Sequence, residues 1–213
     1  MIVNENMVKQ LLEELGDRVL VAATKYVDVE QIEELERIGV THFGENRVQA
    51  LLEKYDNYHG KGSFEFIGTL QKNKVKYIID KVSLIHSIDS LGLLQEVDKQ
   101  AKKHNLIMPV LIQVNIAKEE TKHGFSVLEM DDIFLQLDKF TNIEVRGLMM
   151  MAPNIDPVEA ESYFEATQQL LVQLNDKFNM EMTELSMGMS NDYREAMKHG
   201  ATRIRIGRAL FTD

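Results

Sequence analysis

A lysine that directly follows a short apolar run is the first pattern in this chain with chemical potential. In RVLVAATKY, the run Val19 to Ala23 is too short for a helix and suits a buried strand, whose end delivers Lys25 to the edge of a sheet. An amine that is desolvated there loses part of its hold on the proton and can attack a carbonyl to form a Schiff base. Most lysines at strand ends are simply solvated and serve no such purpose, so the pattern gains meaning only from its company. Two glycine-bearing stretches near the other end of the chain supply a possible companion. In LSMGMSNDY, Gly188 permits a tight turn, and Ser190 or Asn191 is expected to cap the next helix, leaving backbone N–H groups for an anion. In RIRIGRALF, Gly207 would let the backbone approach an anion closely. Either glycine alone is as consistent with a simple turn.

Arg203 and Arg205 alternate with Ile204 and Ile206. A strand with that pattern packs its isoleucines on one side and aims both guanidiniums to the other. Inside a barrel each would need an acceptor, either an internal carboxylate or a ligand atom. The remaining motifs are weaker. The six histidines show no HxH or HExxH spacing, no GxSxG or GxGxxG occurs, and GKGS at Gly60 to Ser63 lacks the upstream glycine of a phosphate loop and reads as a turn. Met149 to Met151 suit a core, with Met149 placed to face a ligand at a strand end.

These residues must be positioned by an alternation of strands and helices. Besides Val19 to Ala23, strands are expected at 41–43, 64–67, 83–88, 109–116, 143–149, 183–186 and 202–206. Helices are expected at 3–15, 29–38 (with Asp28 and Gln31 as a capping box), 46–55, 71–79, 91–104, 128–140, 158–178 and 192–199. Eight strand–helix units in a chain of 213 residues predict an α/β fold, a closed (β/α)8 TIM-type barrel occupying residues 1–213 as one domain. No helix follows the eighth strand before Asp213, so the amino-terminal helix is expected to cover that side. In such a barrel the loops after strands seven and eight commonly bind phosphate at the carboxyl-end rim, and strand one lies beside strand eight. Lys25 and the two glycine loops would then be neighbours.

Composition narrows the function further. With 44% apolar and 27% charged residues and a net charge of −10, neither nucleic acid nor an anionic membrane is expected as a partner. The absence of cysteine excludes disulfides, thiolate nucleophiles and sulfur-ligated metal, and no metal site is expected. No secretory or membrane-spanning pattern is present, so a cytoplasmic location is expected.

Taken with TKY, the motifs FGENRVQ (43–49), FIGTLQKNK (66–74), HSID (86–89), QVNIAKEETKHG (113–124), RGLMMMAP (146–153), LSMGMSNDY (185–193) and RIRIGRALF (203–211) resemble the pyridoxal phosphate homeostasis protein family. Its fold is that of the amino-terminal barrel of alanine racemase, and the similarity runs from about Val21 to Phe211. The resemblance implies that Lys25 holds pyridoxal 5'-phosphate (PLP) as a Schiff base. It also implies that Ser190, Gly207 and Arg208 hold the phosphate, that Arg205 faces the pyridine nitrogen, and that Asn46 and Met149 line the cofactor. Two departures stand out: Thr69 occupies a position where histidine is common, and Ala117-Lys118 replaces a small-Gly pair. The early end at Asp213 is expected to leave the rim more open.

An arginine opposite the pyridine nitrogen weakens the ring as an electron sink. No second acid/base for racemisation is evident in the sequence. The resulting expectation is a PLP carrier in vitamin B6 and amino-acid balance, without robust turnover. Apo PLP-dependent enzymes are the expected acceptors, and the protein is expected to be a monomer or weak homodimer. A racemase-type PLP enzyme and a cofactor-free lysine aldolase are the alternatives. Lys72, Lys74 and Lys122 are fallback candidates for the attached amine.

Overall fold

The computed structural model describes residues 1–118 and 123–212. In chain order the elements are β1 (Ile2–Val3), α1 (Glu5–Leu15), β2 (Val19–Ala23), α2 (Val29–Ile38), β3 (His42–Glu45), α3 (Val48–Asn57), β4 (Ser63–Phe66), α4 (Val75–Ile78) and β5 (Leu84–Ile88). They continue with α5 (Leu91–Lys103), β6 (Met108–Gln113), α6 (Met130–Phe134), β7 (Ile143–Met149), α7 (Pro157–Phe178), β8 (Glu184–Ser186), α8 (Tyr193–Lys198), β9 (Arg203–Ile206) and β10 (Phe211–Thr212). Strands β2 to β9 close into a parallel barrel in sequence order, and β2 meets β9 with Val21 opposite Arg205. All eight expected strands are present.

Local chemistry explains several helix starts. The Asp28 backbone N–H donates to Gln31 Oε1 at 2.9 Å, completing the capping box of α2, and Ser90 caps α5 by accepting from the Leu93 N–H. The face of each helix that meets the barrel is mainly apolar, with Lys54 on α3 the charged exception, and one continuous core joins residues such as Leu15, Ile32, Leu51, Ile78, Val97 and Phe164 to the outward side of the strands. Glu14 accepts from Tyr193 Oη at 2.9 Å and from Arg194 Nε at 2.7 Å, and α1 packs on α2 and β2. The amino-terminal helix thus covers the strand-eight side, as expected.

Three expectations need correction. Residues 2–3 form a short strand paired antiparallel with β10, so the first helix starts at Glu5; two-residue strands carry no readable periodicity. The helix expected over 128–140 is α6 flanked by two 3-10 turns, Val127–Glu129 and Leu137–Lys139. Its inward residues from Phe134 onward recur at every third position (Phe134, Leu137, Phe140), the period of a 3-10 turn. The expected helix over 71–79 is likewise a 3-10 turn, Lys72–Lys74, running into α4.

The barrel interior is polar. Arg203 on β9 bonds to Glu65 on β4, and His86 on β5 bonds to Ser186 on β8. These strands are not neighbours, so both contacts cross the inside of the ring. Leu84, Leu111 and Met149 form a small apolar cluster separate from the main core.

Candidate functional site

The carboxyl-end rim opens into a cavity of about 750 Å³, within the size range of small-molecule sites. Its lining includes Lys25, Asn46, Met149, Ser190, Arg205, Gly207 and Arg208, so all seven residues singled out from the sequence meet in one place. Lys72 and Lys74 do not line it, and Lys122 lies outside the described residues.

Lys25 stands two residues beyond β2 on a segment that is firmly held. The Thr24 N–H donates to Gly44 O at 3.0 Å, and Thr24 Oγ1 donates to Glu45 Oε1 at 2.5 Å. The buried Lys54 ammonium bonds both the Thr24 carbonyl and Glu45. The Lys25 amine itself is not desolvated: the residue is exposed and its Nζ lies 4.6 Å from the centre of the Tyr26 ring. Desolvation by the barrel core is therefore not what distinguishes this lysine; its position is.

In the loop after β8, two strands round the ring from β2, Gly188 has φ +92, and a Cβ there would lie 2.7 Å from the Ala196 Cβ, so only glycine fits. The loop is closed by Asp192, whose carboxylate accepts the Met189 N–H at 2.7 Å. Asp192, rather than Ser190 or Asn191, precedes α8, and those two stay exposed at the cavity wall. Burial raises the Asp192 carboxyl above its usual range, against the pull of Arg205. Gly207 is different in kind. Its φ is −115, and a Cβ would meet nothing closer than the Ala23 Cβ at 3.6 Å, so the chain's own packing does not crowd this position beside Lys25. The 3-10 turn Arg208–Leu210 begins directly after it.

Arg205 is buried beneath the cavity. Its Nη1 donates to Ser186 Oγ and its Nη2 to the Met150 carbonyl at 2.9 Å. Burial pushes the guanidinium down to about 10, partly opposed by Asp192, which leaves it cationic at neutral pH. Arg203 instead reaches Glu65 and, through Nε at 3.0 Å, Glu184. Arg203 thus has the internal carboxylates expected of it, whereas Arg205 is met by two neutral protein oxygens, a hydroxyl and a carbonyl, at the cavity.

Several lining residues were not anticipated. Gln113 and His123 stand on and after β6, four strands round the ring from β2; Gln113 Nε2 donates to the His123 carbonyl at 3.2 Å, and His123 Nδ1 lies 3.4 Å from Asp89. Thr69 also lines the cavity, so this departure from the family pattern falls on its wall. GKGS proves to be a turn built around an internal anion: the Lys61 and Gly62 N–H groups donate to Glu36 Oε1 at 2.6 and 2.9 Å. Among the described residues, no His/Cys/Asp/Glu group is arranged to hold a metal, and no helix is long and apolar enough to cross a membrane.

A closed parallel barrel with a lysine after its first strand and glycine loops after its last two defines the class of alanine racemase amino-terminal barrels, and the family model "Alanine racemase, N-terminal domain" matches residues 4–213. Within that class the chain belongs to the pyridoxal phosphate homeostasis protein family. It is 41% identical over 196 residues to the pyridoxal phosphate homeostasis protein of Aquifex aeolicus, covering 91% of this chain and 86% of that one. It is 35% identical over 198 residues to the protein of the same name from Synechocystis sp., covering 91% and 90%. Among solved structures, PipY of Synechococcus elongatus PCC7942 with PLP bound superposes with a TM-score of 0.91 at 29% identity, covering 98% of this chain and 99% of that one.

Proposed function

We propose that this protein binds PLP in the rim cavity, joined to Lys25 as a Schiff base, and serves as a carrier that buffers the cofactor and hands it to apo PLP-dependent enzymes. The observation that carries this reading is the convergence of Lys25, Arg205 and the Gly207–Arg208 turn on one cavity. The donor set fits: one amine for the aldehyde, two guanidiniums and turn amides for a phosphorylated pyridine, in a protein of net charge −10 that must hold an anion locally. Relatives carry the corresponding name, and PipY has been solved with PLP bound.

When bound, PLP supplies an aldehyde carbon and an electron-withdrawing ring. Lys25 would hold it through its amine, which stands at the cavity wall where condensation with an aldehyde would release water. Arg205, a donor that keeps its own proton, would face the ring nitrogen without driving the ring to its protonated form, a setting that would disfavour proton abstraction from a bound amino acid. Storage and release fit that setting better than turnover.

Hydride reduction of the PLP-loaded protein followed by peptide mapping tests the proposal. A phosphopyridoxyl group on Lys25 is expected; its appearance on Lys72, Lys74 or Lys122, or on none, overturns it. One observation favours the racemase-type alternative: His123, paired with Asp89, lines the cavity across the ring from Lys25 and could act as the second acid/base. Sustained exchange of an amino acid's α-hydrogen with solvent, lost in His123→Ala, would establish that reading.

A further inference from the structure

Below the cavity, four side chains from four strands join in a line through the barrel interior. Arg205 Nη1 meets Ser186 Oγ at 2.5 Å, Ser186 Oγ meets His86 Nδ1 at 2.8 Å, and His86 Nε2 meets Glu65 Oε2 at 2.6 Å. His86, Ser186 and Glu65 are almost wholly enclosed. The other oxygen of Glu65 accepts from His42 at 2.7 Å and from Arg203.

Each link admits one direction. A guanidinium has donors only, so Ser186 Oγ accepts from Arg205 and its single proton must go to its other partner. His86 Nδ1 must then be a bare acceptor. Glu65 is ionised: burial opposes its charge, but His42, His86 and Arg203 outweigh that and hold its carboxyl well below the usual range. An ionised carboxylate only accepts, so His86 Nε2 carries the ring proton. Counting from either end gives the same neutral tautomer. Burial, together with Arg203 and Arg205, also holds the His86 imidazole below its ordinary pKa against the opposing pull of Glu65. A doubly protonated His86 would leave Ser186 facing two donors, with its own proton unplaced.

We propose that Ser186 and His86 are positioning residues for Arg205, joined to it and to Glu65 in a one-way chain of hydrogen bonds that fixes the guanidinium beneath the cavity and locks His86 as the neutral Nε2–H tautomer. Glu65 anchors the chain, because the only direction of donation ends on its charge. The inference about His86 stands on this geometry alone; its consequence for a bound cofactor rests on the functional reading above.

The test has two arms. In the first, the unloaded full-length protein labelled with 15N-histidine is examined by NMR, with His86 assigned by its loss in His86→Gln. A protonated Nε2 and bare Nδ1 are expected between about pH 6 and 8; an Nδ1–H tautomer or an imidazolium in that interval overturns the chain. In the second, PLP-loaded variants are compared. His86→Leu should shift the absorption maximum of bound PLP and weaken its retention on dialysis about tenfold, as expected for one charge-linked buried hydrogen bond. His86→Gln, whose amide can both accept from Ser186 and donate to Glu65, should restore both. Variants that match each other overturn the positioning role. Should His86→Leu fail to fold, Ser186→Ala replaces it with the same expected shift, and an unshifted maximum counts against the proposal. Should the wild type retain no PLP, the functional reading fails and the tautomer alone upholds or overturns the chain.

Discussion

Arg203 and Arg205 stand two residues apart on β9, point into the same barrel, and meet opposite company: Arg203 is neutralised by Glu65 and Glu184, whereas Arg205 bonds a hydroxyl and a carbonyl. The pair separates structural from ligand-facing charge on a single strand. Arg203 closes an ion-pair network inside the ring, and Arg205 keeps its positive charge uncancelled by a direct carboxylate at the cavity.

Their replacements should therefore differ. Arg203→Ala strips one partner from a buried network and should cost about 3–5 kcal/mol in urea unfolding. Arg205→Gln leaves only neutral groups behind and should cost about 1–2 kcal/mol. In PLP-loaded protein Arg205→Glu should shift the absorption spectrum by favouring the protonated pyridine; an unchanged spectrum removes Arg205 from the cofactor.

Lys25→Ala should abolish the visible absorbance of protein incubated with PLP and dialysed, while leaving the thermal midpoint essentially unchanged. The side chain is exposed, and the turn that carries it is held by Thr24, Glu45 and Lys54. Retained colour would point to another amine.

Acid should act in two windows. His86 is held below its ordinary value of 6.5, so the unfolded chain binds more protons and stability falls as pH drops from about 6.5 toward the folded value. Glu65 is held below its ordinary 4.5, so its contribution is intact above that value and is lost only as pH falls further. Chemical denaturation across pH should show both declines in the wild type; His86→Gln should lose the upper one and keep the lower.

Lys118 has φ +54, left-handed backbone at a position where the family pattern has glycine. Lys118→Gly should relieve about 1 kcal/mol of strain, offset in part by glycine's greater freedom in the unfolded chain. A net gain of about 0.5 kcal/mol in unfolding free energy is expected; a loss would show that the lysine side chain contributes more than its backbone costs.

The strand–helix alternation, the barrel and its rim were legible because each rests on local pattern: β2 is a five-residue apolar run, α5 shows helical spacing, and Gly188 marks a turn that excludes a Cβ. Of the seven cavity residues, Lys25, Met149, Ser190, Arg205 and Gly207 were readable from their places on or next to strand ends, whereas Asn46 and Arg208 were named only through the family resemblance. His123 and Gln113 were not legible: both lie in the stretch 113–124 that carries the resemblance, but nothing in its local pattern assigns either side chain to the cavity. Nor was the broken segment around α6, where residues spaced by three and by four both look helical over a short span.

By itself the amino-acid order determined which side chains reach the ends of which strands, because the two-residue period of a strand and the handed strand–helix crossover are local rules. Only the closed ring decided which of those side chains touch. It brings Glu65, His86, Ser186 and Arg205, up to 140 positions apart, into one line of hydrogen bonds. It also assigns Arg203 to carboxylates and Arg205 to the cavity, a choice that depends on what stands across the barrel and that no spacing along the chain encodes.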